Sequence, residues 1–235
     1  MKDKLIPLSK DRLFYTLQME GIHVGRPSIF IRLAYCNLAC TFCDSAYTWK
    51  PDYVNDKEKP DFVDREYLIN EIKKYNCKNL VFTGGEPLLF QDNINSLFDN
   101  YKLWGYKVDI ETNGTILPKN TDLYEFFYNV SPKLSNNGAD SFEKRINSEA
   151  IEFFRDYGKS IFKFVIKEKE DWNEIKKDFI DKFNIPFKKI WLMPEGQTRE
   201  QLDLRREMVV NLCIENEVNY SDRLQVLVWG QKRGV

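Results

Sequence analysis

The chain has 235 residues, of which 43% are hydrophobic and 30% charged, and its formal net charge is −1. A chain of this length and composition can bury the core of a globular protein. The near-neutral charge gives no general attraction to nucleic acid or to an anionic membrane, and we expect neither as a partner. No apolar run is long enough to cross a bilayer, and the start of the chain lacks the apolar core of a signal peptide. We therefore expect a cytoplasmic protein.

Segments typical of strands and helices alternate along the chain. The predicted strands are 28–34, 79–83, 107–110, 128–130, 161–166 and 189–193, with a last short strand at 224–229. The predicted helices begin at Asp64 and again after Pro87, where Ile94, Leu97, Phe98 and Tyr101 share one face, and then cover 121–127, 147–157, 171–183 and 199–217. Residues 1–27 are mixed and polar, and the stretch at about 47–63 is predicted to be a surface excursion.

Short loops between alternating strands and helices imply a parallel sheet with right-handed crossovers. A complete barrel of this type has eight strand–helix units in about 250 residues. About six units fit this chain, and we therefore predict an incomplete, open (β/α)6 TIM-like barrel. An open doubly wound sheet is the structural alternative. We expect one domain over residues 1–235, with a flexible insertion at about 47–63.

A cysteine-rich loop follows the first predicted strand. Three of the five cysteines lie within eight residues of one another, namely Cys36, Cys40 and Cys43. Thiolates at this density indicate a soft metal or an iron–sulfur cluster. A structural zinc site normally has four cysteine or histidine ligands, but the chain has one histidine, His23, and its other cysteines, Cys77 and Cys213, lie elsewhere. We predict a catalytic 4Fe–4S cluster with one open position, and structural zinc is the alternative.

Polar segments, most of them containing glycine, follow the other strands. They are Gly84-Gly85-Glu86-Pro87, Glu111-Thr-Asn-Gly114, Ser131-Pro-Lys133 and Met193-Pro-Glu-Gly196. The carboxyl ends of parallel strands meet at one end of a barrel, where such proteins place their chemistry. We therefore expect these segments to surround the cysteine loop.

The cysteine loop followed by Gly-Gly-Glu-Pro resembles the radical S-adenosylmethionine (SAM) superfamily. In that superfamily three cysteines hold a 4Fe–4S cluster, whose open iron is chelated by the amino and carboxylate groups of the methionine part of SAM. The resemblance implies that the three clustered cysteines are the cluster ligands. It also implies that SAM lies beside Gly84 and Gly85, because a side chain at either position would block its approach.

A closer resemblance, extending over the whole chain, is to the 7-carboxy-7-deazaguanine synthases. The matching motifs are Thr16-Leu-Gln-x-Glu-Gly21, Gly25-Arg-Pro27, Phe30-Ile-Arg-Leu33, Cys36-Asn-Leu-x-Cys40-x-x-Cys43-Asp-Ser45, Thr83-Gly-Gly-Glu-Pro87, Glu111-Thr-Asn-Gly114, Ser131-Pro-Lys133 and Trp229-Gly-x-Lys-Arg-Gly-Val235. This family converts 6-carboxy-5,6,7,8-tetrahydropterin into 7-carboxy-7-deazaguanine with loss of ammonia, toward queuosine and archaeosine in tRNA. The resemblance implies a lyase in which the cluster cleaves SAM to a 5′-deoxyadenosyl radical, which takes a hydrogen from the substrate and returns it after ring contraction.

The resemblance also implies a role for each matching residue. The SAM-binding positions would be Gly84, Gly85, Glu86, Glu111, Ser131, Pro132, Lys133, Met193, Pro194, Glu195 and Gly196. The substrate-binding positions would be Leu17, Gln18, Met19, Glu20, Arg32, Thr83 and the terminal carboxylate of Val235. Arg32 would meet the substrate carboxylate with its planar fork. Ser45 would bind Mg²⁺, since a hydroxyl is a hard oxygen donor; a helix cap or a turn residue is the alternative for Ser45.

Two segments depart from the family pattern. Met19 stands where the family usually has glycine, and Met193-Pro-Glu-Gly196 replaces a more common Gln-Pro-Met-Asp run. The resemblance further implies a pterin substrate, a flavodoxin or ferredoxin reductant and a homodimer. One alternative is another radical SAM enzyme, such as a glycyl-radical activase. A non-enzyme alternative is an iron–sulfur electron carrier or zinc module, although a carrier would want four thiolates around its cluster.

Overall fold

The structure is a computed structural model that describes residues 5–50, 59–99, 102–121 and 123–235. Its strands are β1 Ile6–Leu17, β2 Pro27–Leu33, β3 Asp61–Val63, β4 Asn79–Gly84, β5 Lys107–Thr112, β6 Phe127–Val130, β7 Ser160–Ile166, β8 Ile190–Pro194 and β9 Asn219–Tyr220. The helices are α1 Arg65–Lys73, α2 Gln91–Ser96, α3 Phe142–Arg145, α4 Ser148–Asp156, α5 Asp171–Ile175 with a π-helical continuation over Lys176–Asp181, α6 Arg199–Asn216 and α7 Leu224–Trp229. Over the described ranges, none of the helices has the length and apolar character needed to span a membrane.

The strands form one open sheet in the order β3-β1-β2-β4-β5-β6-β7-β8-β9. From β2 onward every neighbouring pair is parallel, whereas β1 pairs antiparallel with both β2 and β3. The six predicted central strands correspond to β2, β4, β5, β6, β7 and β8. Because β3 and β9 remain as edges, the predicted incomplete TIM-like barrel is confirmed.

The two faces of the sheet differ in chemistry because successive strand residues point to opposite sides. The outward residues are apolar and pack under the helices. The ring centres of Tyr128 in β6 and Phe154 in α4 are 5.3 Å apart, and those of Phe164 in β7 and Phe179 in the π-helical segment are 4.9 Å apart. The inward residues are largely polar, and those toward the carboxyl ends of the strands line a cavity. The fold thus separates a hydrophobic core outside the sheet from a polar chamber inside it.

His23 lies on the inner side near the start of the strands. Its Nδ1 atom lies 2.6 Å from Oδ2 of Asp109, and its ring packs at 4.6 Å from that of Phe127. These contacts explain how the single histidine of the chain is accommodated. It does not line the cavity, and a structural role is sufficient for it.

The predicted helix boundaries are confirmed where capping residues mark them. Asp64 accepts a hydrogen bond from the backbone N–H of Tyr67 at the start of α1, and Thr198 accepts one from Gln201 at the start of α6. The helix after Pro87 is shorter than predicted, since α2 ends at Ser96. Tyr101, which was predicted on its face, lies outside the described residues, as does 51–58 of the predicted insertion.

Two sequence predictions were wrong, and one strand was not predicted. Residues 224–229 form helix α7 rather than a strand, because the edge of β8 is already paired with β9. The described residues of 121–127 form no helix, and Phe127 instead opens β6. The polar N-terminal stretch contains the twelve-residue strand β1, whose charged residues Lys10 and Arg12 pair with Asp61 at the start of β3.

Candidate active site

The cysteine loop is held by the segment that follows β6. Asp140 accepts a hydrogen bond from the backbone N–H of Ala39 at 2.8 Å, and the carbonyl of Asn137 accepts one from the N–H of Thr41 at 2.9 Å. The side chain of Asn137 in turn donates to Asp140 at 2.9 Å. Burial opposes the charge of Asp140, but hydrogen bonds from Lys144 and from Ala39 outweigh it and lower the pKa of the carboxyl group. The loop is therefore fixed by contacts that sequence analysis missed.

Each clustered cysteine sulfur has a side-chain N–H donor near it. The donors are Asn113 for Cys36 at 3.9 Å, Asn137 for Cys40 at 3.7 Å and Trp49 for Cys43 at 3.3 Å. Such donors stabilise thiolate sulfur and tune the potential of iron–sulfur clusters. Asn113 belongs to the Glu-Thr-Asn-Gly motif, whereas no sequence signal distinguished Asn137. The donor set fits a cluster bound through three thiolates.

The thiols of Cys36 and Cys43 lie in a setting that favours their protonated form when no metal is bound. Burial raises the pKa of Cys36 to about 12 and also raises the pKa of Cys43. Metal binding would replace these protons. Among the residues that the structure describes, no group of three or more His, Cys, Asp or Glu side chains converges on one metal ion. This is compatible with a 4Fe–4S cluster, whose thiolate ligands each bind a different iron.

Gly84 and Gly85 bring the end of β4 against the start of the cysteine loop. Gly84 has φ +107°, and a Cβ atom there would lie 2.3 Å from the carbonyl oxygen of Leu33. A Cβ atom on Gly85 would lie 1.8 Å from the carbonyl oxygen of Tyr35, the residue before Cys36. Backbone hydrogen bonds from Gly85 to Leu33 and from Glu86 to Tyr35 hold this approach. The two glycines therefore have a packing role here besides the predicted contact with SAM.

Glu86 has a structural position beside the cavity. Its side chain is fully buried and accepts hydrogen bonds from the backbone N–H groups of Leu88 and Asn113 and from the hydroxyl of Thr112. Burial raises the pKa of this carboxyl group, against the hydrogen bonds from Asn113 and Leu88. Glu86 thus joins the loop after β4 to the loop after β5.

A cavity of about 540 Å³ opens at the carboxyl ends of the strands. It brings together most of the predicted site residues, which are Leu17, Gln18, Met19, Glu20, Arg32, Cys36, Cys40, Cys43, Ser45, Thr83, Gly84, Gly85, Glu111, Ser131, Lys133, Met193, Glu195 and Val235. The other predicted residues do not line it; these are Glu86, Pro132, Pro194 and Gly196. The cysteine loop and the polar inner face of the sheet therefore share one chamber.

Glu111 lies with the predicted substrate residues. One of its carboxylate oxygens accepts a hydrogen bond from Thr83 at 2.7 Å, and the other accepts one from Gln18 at 3.1 Å. These side chains come from β4 and from the end of β1. The sequence placed Glu111 among the SAM-binding positions, but its side-chain hydrogen bonds are with two predicted substrate-binding residues, Gln18 and Thr83.

Glu20 is surrounded by residues that sequence analysis missed. Its carboxylate pairs with Lys163 of β7, accepts a hydrogen bond from Gln225 at 2.5 Å and lies 3.3 Å from Nε of Arg223. Burial opposes the charge, but Lys163 and Arg223 outweigh it and lower the pKa of Glu20. Oε1 of Gln225 is buried and has no hydrogen-bond partner, so it is an acceptor available to a bound molecule.

Ser45 faces the cavity rather than capping a helix. It precedes a 3-10 turn at Ala46–Thr48, but its side chain makes no capping hydrogen bond. Its hydroxyl donates to Asp44 at 2.9 Å and accepts from Arg32 at 3.1 Å. The side chain of Asp44 remains 47% exposed. The partial loss of water around it opposes its charge, but Arg223, Ser45 and Arg32 outweigh this and lower the pKa of its carboxyl group to about 2. The hydroxyl of Ser45 and the carboxylate of Asp44 thus lie together beside the guanidinium of Arg32.

Arg32 projects from β2 into the cavity and is flanked by Asp11. The Nε atom of Arg32 lies 3.2 Å from Oδ2 of Asp11, which also accepts a hydrogen bond from Tyr47 at 2.6 Å. Asp11 lies where the pairing of β1 with β2 changes register between Leu8 and Leu13. Such irregularities commonly redirect a side chain toward a site. Burial disfavours the charged guanidinium, but the neighbouring Tyr47 and Asp11 raise the pKa of Arg32.

The remaining positions predicted to bind SAM lie at the ends of β6 and β8, which are separated in the sheet by β7. After β6, Lys133 donates a hydrogen bond to Ser131 at 2.7 Å, and both line the cavity. After β8, Glu195 lines the cavity but pairs with Arg205 of α6 at 3.4 Å. Met193 is the inward residue of β8 at the same level.

The last residues of the chain form part of the cavity wall. The guanidinium of Arg233 lies 3.8 Å from the centre of the Tyr47 ring, and Val235 lines the cavity. The tail thus crosses the segment that follows the cysteine loop.

Comparison with known proteins agrees with this arrangement. Residues 30–178 match the family model of the radical SAM superfamily. The chain is 34% identical to the 7-carboxy-7-deazaguanine synthase of Hyperthermus butylicus, over 92% of this chain and 90% of that protein. It is 33% identical to the enzyme of the same name from Halobacterium salinarum, over 93% and 89% of the two chains. This chain belongs to the 7-carboxy-7-deazaguanine synthase family of radical SAM enzymes.

Solved structures share the fold of this chain. The crystal structure of QueE from Escherichia coli matches with a TM-score of 0.68 and 26% identity, covering 93% of each chain. A structure of SuiB from Streptococcus suis matches with a TM-score of 0.54 at 18% identity, covering 82% of this chain and 47% of that one, which shows a shared fold alone. Membership of the superfamily implies a 4Fe–4S cluster and SAM as cofactors and a small-molecule substrate.

The contact between Gly85 and Tyr35 gives a testable prediction. We expect Gly85→Ala to displace the start of the cysteine loop, because the new Cβ atom would lie 1.8 Å from a backbone oxygen. After anaerobic reconstitution the variant should hold less iron and sulfide per chain than the unmodified protein. Gly158→Ala is the matched control, since its Cβ atom would meet nothing within 4 Å. Equal iron content in the two variants would contradict the packing role.

Proposed function

We propose that this protein converts 6-carboxy-5,6,7,8-tetrahydropterin into 7-carboxy-7-deazaguanine with release of ammonia. The reaction is a lyase reaction of 7-deazapurine biosynthesis, toward queuosine and archaeosine. The observation that carries the proposal is the single chamber in which the cysteine loop faces Glu20, Arg32, Thr83 and Glu111. A cluster site and a polar pocket that share one cavity suit radical chemistry on a small polar molecule.

The cluster would be held by Cys36, Cys40 and Cys43, with SAM between the cluster and the segments after β4, β6 and β8. When bound, the reduced cluster and SAM supply a radical that abstracts hydrogen from the substrate. The chain's own residues would hold the reacting carbon of the substrate next to the SAM site. Glycine at positions 84 and 85 leaves no side chain between the end of β4 and the start of the cysteine loop.

The polar inner face would orient the pterin. Glu111 is held by Gln18 and Thr83, so these side chains form one fixed group of acceptors and donors. The ionised Glu20 and the unpartnered oxygen of Gln225 are acceptors for the N–H groups of a guanine-like ring edge. Arg32 would pair with the substrate carboxylate, because its guanidinium is charged and oriented by Asp11. Leu17, Met19 and Val235 would complete the pocket.

We propose Ser45 as a ligand of a Mg²⁺ ion that also binds the substrate carboxylate. Its hydroxyl is a hard oxygen donor with an ionised carboxylate, Asp44, 2.9 Å away. Mg²⁺ commonly binds through one or two protein oxygens and keeps water in its other positions. The nearby Arg32 would help the ion to neutralise the charge of the substrate carboxylate.

We further propose a homodimer in the cytoplasm that receives electrons from a flavodoxin or ferredoxin. All five cysteines are free thiols, which suits a reducing compartment. The open sheet leaves β3 and β9 as edges that a second subunit could cover. Sedimentation equilibrium measures the oligomeric state, and a monomeric mass would remove the dimer from the proposal.

A product assay tests the reaction. The reconstituted protein, supplied anaerobically with SAM, reductant, Mg²⁺ and 6-carboxytetrahydropterin, should form 7-carboxy-7-deazaguanine, detected by mass spectrometry. Cys40→Ala should form none, because a cluster ligand is lost. Cys77→Ser is the control and should retain activity, since Cys77 lies outside the cavity and donates to a backbone carbonyl as serine can. SAM cleavage without product would favour another radical SAM reaction.

The role of Ser45 is tested by its dependence on Mg²⁺. In Ser45→Ala we expect the Mg²⁺ concentration for half-maximal product formation to rise about tenfold, equivalent to about 1.4 kcal/mol of binding free energy. Ser45→Thr keeps the hydroxyl and should stay close to the unmodified protein. An unchanged Mg²⁺ dependence in the alanine variant would exclude Ser45 as the ligand.

The chain end is tested by lengthening it. A short Gly-Ser extension after Val235 should raise the KM for the pterin, because the added residues would displace Val235 from the cavity that it lines. The iron content should be unchanged. The same extension placed before Met1 is the control. Equal KM values for the two extended proteins would remove Val235 from the site.

A further inference from the structure

Arg223 lies immediately before α7 and joins three separate parts of the chain. Its side chain is 9% exposed. Its Nη1 atom donates a hydrogen bond to the carbonyl of Gly196 at 2.6 Å, its Nε atom lies 3.3 Å from Oε1 of Glu20, and its Nη2 atom pairs with Oδ2 of Asp44. All three guanidinium nitrogens are therefore engaged, each with a different segment.

Each of these segments belongs to a different part of the proposed site. Glu20 faces the proposed pterin position, and Asp44 accepts a hydrogen bond from the hydroxyl of Ser45. Gly196 does not line the cavity itself, but it follows Glu195, which does, in the segment predicted to bind SAM. A guanidinium is planar and rigid, so it fixes the relative positions of the groups that it binds. A lysine ammonium carries the same charge but lacks this fixed fork.

The charges around Arg223 alternate along one connected chain. Lys163 pairs with Glu20, Glu20 with Arg223, and Arg223 with Asp44. Lys163, Glu20 and Arg223 are nearly buried, so the loss of one of them would leave an uncompensated charge on the others. Asp44 is 47% exposed and lies at the solvent side of the set. Burial opposes the charge of Arg223, but Asp44 and Glu20 outweigh it and raise the pKa of the guanidinium. The network is thus one fully ionised unit that extends from β7 to the cysteine loop.

We propose that Arg223 is a positioning residue that holds the pterin, Mg²⁺ and SAM parts of the cavity in a fixed mutual arrangement. This inference rests on the proposed function for the identity of the three ligands. Arg223 acts through Glu20, Asp44 and Gly196. Its loss should therefore weaken the binding of more than one ligand while the cluster remains in place.

Binding measurements on the cluster-loaded full chain test the proposal. In Arg223→Gln we expect the Kd for SAM and the Kd for 6-carboxytetrahydropterin with Mg²⁺ both to rise about tenfold or more, with unchanged iron content. Arg223→Lys should restore neither Kd to the original value. Arg206→Gln is the matched control, because Arg206 forms an ion pair with the neighbouring Asp222 at 3.0 Å and does not line the cavity. Both Kd values should stay within about twofold in that variant.

Two results would overturn the proposal. One is a folded Arg223→Gln protein with a full cluster that binds both ligands as tightly as the unmodified chain. The other is full recovery of both Kd values in Arg223→Lys, because charge alone would then suffice. A role confined to folding would lower the melting temperature without changing either Kd.

A second variant decides the matter if Arg223→Gln fails to fold. Asp44→Asn removes one partner and leaves Arg223 bound to Glu20 and Gly196. We expect it to raise the Mg²⁺ concentration needed for half-maximal pterin binding while leaving the Kd for SAM unchanged. An unchanged Mg²⁺ requirement would overturn the proposal. If the unmodified protein binds SAM but not the pterin, the proposed function fails, and the SAM measurements on Arg223→Gln or Arg223→Lys still test Arg223.

Discussion

The compensation of buried charges on the inner face of the sheet is the constraint on which the site depends. Glu20 and Arg32 are largely removed from water, and each keeps an oppositely charged neighbour, Lys163 or Asp11. Desolvating a single ion costs several kcal/mol, so these side chains are stable inside the chamber only as partners. The same pairing fixes their positions before any ligand binds. The chamber is therefore preorganised for a polar substrate, which is the condition under which fixed charges are most effective in catalysis.

The apolar side of the sheet makes this polar interior possible. Large side chains such as Phe82, Phe154, Phe162 and Phe164 are fully buried between the sheet and the helices. Burying a side chain of this kind contributes about 1.5–3 kcal/mol, and many such residues act together. Stability is thus supplied mainly outside the sheet, and the inner face can carry groups chosen for chemistry rather than for packing.

Much of the fold was predictable because it follows from local pattern. The six central strands are short apolar runs separated by helices, and Asp64 and Thr198 mark helix starts through their own side chains. Strand β1 was not predicted because its sequence is mixed and polar, and its charged residues Lys10 and Arg12 are compensated across the sheet edge by Asp61. Helix α7 was mistaken for a strand because no local signal shows that β9 already occupies the neighbouring edge.

Only some of the site residues could be predicted from local sequence. The cysteines, the glycine pair and the residues around Glu111 stand in recognisable motifs. Asn137, Asp140, Lys163 and Arg223 do not, because their importance lies in partners that are distant in the chain; Arg223 and Glu20 are separated by 203 positions. Pairings of this length become visible only when the chain is folded.

The contact between Gly85 and Tyr35 has a consequence for how such a protein can change over generations. Tyr35 has a left-handed backbone conformation, and its carbonyl oxygen fills the space that a side chain on Gly85 would need. The clash is with a backbone atom, so no side-chain substitution at position 35 can make room for a side chain at position 85. The backbone path at the end of β2 and the glycine pair therefore have to be exchanged together, and recombination that replaces one of them by a segment with a different backbone path should lower cluster loading.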